Sequence, residues 1–142
     1  MKAKHVAWAV ALLVATGLLG FSAGVSFGQP KSPRVYELRT YTVLAGRLPA
    51  LHKRFAEHTM AFFEKHGMRN ELYWVPTDDA GNTTLVYLMS HASREAADAS
   101  WKAFQADPEW HKVRDASEAD GKILAKAPDR QWLTPTAYSP VR

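Results

Sequence analysis

Cysteine is absent from all 142 residues. That absence excludes disulfides, a thiolate nucleophile and thiolate metal ligands, so the chain must hold together by packing. No serine stands in a Gly-x-Ser-x-Gly context, and no glycine-rich loop is spaced to cradle phosphates. The six histidines include no His-x-x-Glu-His or similar ligand spacing, so no metal and no cofactor is expected. Long runs of one charge are also missing. Basic residues occur singly among acidic ones, which argues against a nucleic-acid surface.

The first 28 residues read as a targeting segment. Lys2, Lys4 and His5 form a short basic start, and the 23 residues from Val6 to Gly28 carry no charge. "SFG" before Gln29 is the expected cleavage site, with "SAG" ending at Gly24 as a rival. No cysteine follows the apolar run, so no lipoprotein anchor forms, and no twin arginine precedes it. The run is long enough to span a bilayer, so an uncleaved segment is the one expected membrane attachment. Small residues near its end favour cleavage and export to the periplasm or beyond. Taking Lys2 and Lys4 from the 18 basic residues leaves 16 against 14 acidic ones, too even a balance to imply a polyanion partner.

After a short tether at 29–33, residues 34–140 read as one domain. A strand from Arg34 to about Leu44 precedes a helix that opens near Pro49 and runs to His66. Leu48, Leu51, Phe55, His58 and Phe62 form its apolar stripe, and Gly67 stops it. Strands over 68–77 and 83–91 flank the loop "DDAGN". Ser93 caps a helix whose buried stripe is Ala97, Trp101 and Phe104. Asp107 and Pro108 open another helix, which runs towards Gly121. The end, "RQWLTPTAYSP", reads as a last strand, with Pro135 placing it at an edge or bulge. The order β-α-β-β-α-(α)-β predicts an α+β, ferredoxin-like fold with an antiparallel sheet covered on one face. The bare face predicts a homodimer in which two sheets close a dimeric α/β barrel.

"VYELRTYTV" at Val35–Val43, "EKHG" ending the first helix, the Trp74 strand, "FQADPEW" and the late "PTAYSP" resemble the NIPSNAP family across the whole span from Arg34 to Pro140. The resemblance implies the dimeric α/β barrel fold, which also serves cofactor-free monooxygenases and small binding proteins. It implies no agreed catalytic activity. Many members carry His-Leu-Trp where this chain has Tyr87-Leu88-Met89, so no role passes from that histidine.

Strand alternation supplies the candidate site. Glu37, Arg39 and Tyr41 share one face of the first strand, and Tyr36 and Leu38 share the other. If Tyr36 and Leu38 lie under the helices, the acid, base and phenol face the barrel lumen. Tyr87, Met89 and His91 of the third strand and Tyr73 of the second then join them in a pocket for a small hydrophobic or aromatic ligand. A structural Glu37–Arg39 ion pair is the plainer reading of the first two. The reading that follows is a non-catalytic binding or scaffolding protein, with a cofactor-independent monooxygenase or isomerase as the alternative. A haem or metal role for His58 or His91 is the least favoured.

Overall fold

The computed structural model describes residues 34–140. Four antiparallel strands, β1 (Val35–Thr42), β2 (Arg69–Trp74), β3 (Thr84–His91) and β4 (Asp129–Leu133), form one sheet in the order β2-β3-β1-β4. Helices α1 (Leu48–Arg54) and α2 (Met60–Lys65), joined by a π-helical turn at Phe55–Thr59, lead from β1 to β2. Helices α3 (Arg94–Ala106) and α4 (Pro108–Ser117) lead from β3 to β4. This is the ferredoxin-like α+β arrangement that the element order predicts. The segment read as export signal and tether lies outside the described residues. Among the described residues, no helix is long and apolar enough to cross a membrane.

The helix ends follow local chemistry. Ser93 Oγ accepts from Ala96 N, Asp107 caps α4 from the position before Pro108, and α2 ends where Gly67 takes a positive φ of 80°. Met68 N then donates to Phe63 O and Gly67 N to Glu64 O, the paired bonds of a Schellman ending.

Three expectations are corrected. The buried stripe of the first helical stretch is Leu48, Leu51, Phe55, Thr59 and Phe63, whereas His58 is exposed and Phe62 only partly buried. The π turn is the reason. Met60 N donates to Phe55 O, one residue further than in an α-helix, and Thr59 Oγ1 donates to Arg54 O at 3.1 Å. One extra residue enters the turn, and every later side chain moves round the helix by one place. The last strand lies at the sheet edge as expected, but it stops at Leu133, two residues before Pro135, so the chain beyond does not continue the ladder.

The third correction concerns the sheet faces. Tyr41, Leu85, Tyr87 and Met89 belong to the core with Leu51, Phe55, Phe63, Trp101 and Phe104, so their face lies under the helices. Tyr36, Leu38, Val86 and Leu88 lie on the other. The lumen placement of Glu37, Arg39, Tyr41, Tyr73, Tyr87, Met89 and His91 is therefore inverted. Charge on the first strand had implied the barrel lumen, but the helix layer brings a partner of its own for that charge, Trp101. The uncovered face is apolar instead, with Leu72 50%, Trp74 46% and Leu133 40% exposed. A bulge at Glu71 in β2 lets Asn70 pair with Met89 and Leu72 with Leu88.

Candidate functional site

Strand register gathers all seven candidate residues. Glu37 pairs with Met89, Arg39 with Tyr87 and Val35 with His91 across β1 and β3, and Tyr73 pairs with Tyr87 across β2 and β3. Directly opposed residues put their side chains on one face, so a single patch forms under the helices.

Glu37 is its polar centre. The carboxylate is wholly buried and accepts three hydrogen bonds: from Arg39 Nη1 at 2.8 Å, His91 Nε2 at 2.9 Å and Trp101 Nε1 at 2.8 Å. Burial alone would raise its pKa. The bonds from His91, Trp101 and Arg39 outweigh that and hold it below the usual glutamate value of 4.5. A carboxylate so saturated is a poor proton acceptor. Arg39 also lies 4.3 Å from the centre of the Trp101 ring, a cation–π contact. Sequence reasoning treated Trp101 as core alone. It is core, and it ties α3 to β1 as well; its helical spacing carried no sign of the indole bond.

Aromatic rings fill the rest of the patch. Tyr73 stacks on Tyr87 at 5.3 Å and 15°, and Tyr41, Phe55 and Phe63 pack around the same ring. Tyr87 and Met89 are fully buried, so they occupy this space rather than line an opening. Burial pushes the Tyr87 phenol well above its usual value, and its hydroxyl makes no hydrogen bond of ordinary geometry. Arg39 Nε and His91 Nδ1 are likewise buried without a partner.

An opening exists at one margin of the patch. A groove of about 390 Å³ runs between the π turn and β2, lined by Phe55, Met60, Tyr73, Trp74, Val75 and Leu85, with His52 and Ala56. The shift at the π turn sets Phe55 and Met60 there. Of the seven candidates, only Tyr73 reaches this groove.

The histidines are scattered. His91 serves Glu37, His66 bonds Asp107 at 2.9 Å, His111 meets Gln105 O, and His58 stands exposed beside Glu57. Among the described residues no group of three or more His, Asp or Glu is placed to hold a metal.

An antiparallel sheet with helices on one face, in this strand order, defines a ferredoxin-like subunit of the dimeric α/β barrel type. The chain belongs to the NIPSNAP family, whose profile matches residues 36–140. A NIPSNAP domain protein from Burkholderia xenovorans superposes with a TM-score of 0.62 at 21% identity, covering 75% of this chain and 98% of that one. A NIPSNAP family protein of unknown function from Agrobacterium tumefaciens gives 0.65 at 19%, covering 78% and 95%. A monooxygenase of Streptomyces coelicolor, solved with the ligand nanaomycin D, shares the fold with a TM-score of 0.53 at 16%, covering 75% and 91%. No curated protein sequence matches.

Proposed function

We propose that this chain is an exported, non-catalytic binding protein that works as a homodimer and takes a small hydrophobic or aromatic molecule. The groove beside the π turn carries the reading. Phe55 and Tyr73 offer flat apolar walls, Met60 an adaptable one, Trp74 borders the groove at the β2 edge, and the volume suits a ligand of one or two rings. The buried charges are already committed to one another, which supports binding over acid–base chemistry. The helix-side lining of the groove, His52, Phe55, Ala56 and Met60, stands clear of the uncovered sheet face.

The test uses 1-naphthol as probe, read through tryptophan fluorescence. Saturable quenching is expected, weakened at least tenfold by Met60→Ala with the fold retained by circular dichroism. Equal affinity in the variant removes the groove from the reading.

One observation favours a second reading, a cofactor-independent oxygenase or isomerase. The Tyr87 hydroxyl and His91 Nδ1 are buried polar atoms without a hydrogen bond of ordinary geometry, close to the core aromatics. Oxygen uptake with hydroquinone separates the two. A binding protein leaves the rate at that of buffer, whereas a catalyst raises it.

A further inference from the structure

β4 places Arg130 directly opposite Arg39 of β1, so two guanidinium side chains leave the sheet on the same face, side by side. Like charges in that position destabilise a sheet unless something of opposite sign lies between them. Glu37 does not serve both. It bonds Arg39 through Oε1, while its other oxygen is taken by His91 and Trp101. Arg130 has no carboxylate partner among the described residues; its recorded contact is the Trp132 ring at 5.2 Å.

The two arginines open on a cleft of about 530 Å³ between the β4 edge and α3, to which Lys102, Gln105, Asp98 and Trp101 also contribute. Its lining carries three cations and one acid, and of the three only Arg39 has a carboxylate partner among the described residues, Glu37 beneath it. Lys102 and Asp98 lie one turn apart on α3 without forming an ion pair. Arg39 is held rigidly for an arginine: its side chain is 12% exposed, fixed by Glu37 on one side and by the Trp101 ring on the other. Its Nε is buried and unpartnered. A fixed guanidinium loses little freedom on binding an oxyanion, and the flat fork matches carboxylate and phosphate oxygens two at a time.

The geometry points to a binding site for a small oxyanion, a carboxylate or a phosphate monoester, bridging Arg39 and Arg130 with Lys102 as third cation. This site lies at the β4 edge, away from the apolar groove at the β2 edge, and does not depend on what that groove holds. The anion relieves the Arg39–Arg130 repulsion, so binding stabilises the protein as well as filling the cleft.

Isothermal titration of the purified protein with inorganic phosphate, and separately with benzoate, tests this against sodium chloride at matched ionic strength. Saturable one-site binding of at least one anion is expected, and the anion that binds identifies the source of the oxyanion. Arg130→Gln should weaken it at least tenfold, because one of the two forks is lost. Asp129→Asn, on the opposite face of β4, should bind as wild type and controls for disturbance of the edge. Neither anion binding above the chloride control, or Arg130→Gln binding as tightly as wild type, overturns the proposal.

Discussion

At the scale of the residue, Glu37 decides most. It is a buried carboxylate with three donors, and removing it leaves Arg39, His91 and Trp101 without their acceptor. Breaking a buried pair of this kind costs about 3–5 kcal/mol. Glu37→Ala and Arg39→Ala should each lose that much in urea unfolding. Replacing the pair as Glu37→Leu with Arg39→Met should recover only part, because His91 and Trp101 still lack a partner; adding Trp101→Phe should recover more. Full recovery by the double change would show that the indole bond contributes nothing. The same carboxylate sets a pH dependence. Its folded pKa lies below the ordinary 4.5, so its contribution is complete above that value and disappears as pH falls through the lowered one. Between pH 7 and 3, wild type should therefore lose melting temperature more steeply than Glu37→Gln, with the divergence beginning below pH 4.5. Parallel curves would show that Glu37 is not the ionised centre.

At the scale of the element, the sequence made the strands and caps plain and hid the π turn. Alternation in "VYELRTYTV", the Ser93 and Asp107 caps and Gly67 each act through neighbours a few residues away, so they can be read locally. The extra residue at Phe55–Thr59 is chosen by packing across the core, where Phe63 meets Tyr87, Trp101 and Phe104, and a 3.6-residue count misses it. The candidate site was legible to the same extent. Parity gathered its seven residues correctly, yet which face the helices cover depends on Trp101, more than 60 residues away in the chain. Single substitutions check the register. His58→Ala should change stability by less than about 0.5 kcal/mol, as an exposed position does. Phe63→Ala should cost about 3–5 kcal/mol, and Thr59→Val about 1 kcal/mol through its lost bond to Arg54 O. A costly His58→Ala with a tolerated Phe63→Ala would restore the regular helix.

At the scale of the whole molecule, one sheet face is finished and the other is not. Under the helices, charge, indole and phenol are packed into a closed interior. On the far face the partly exposed Leu38, Val86 and Leu88 run between Leu72 and Leu133, which are 50% and 40% exposed, and an apolar surface of this kind suits the pairing proposed above. The buried face thus serves stability, and the bare one is left for the proposed pairing, the reverse of what charge on the first strand suggests. Light scattering at micromolar concentration tests this division most directly, run on the chain from Gln29 onward and on its Leu72→Lys, Leu88→Lys variant. About twice the single-chain mass is expected for the former, and a single-chain mass for the variant with its near-ultraviolet dichroism unchanged. A wild-type chain of single mass, or a variant that still pairs, would contradict it.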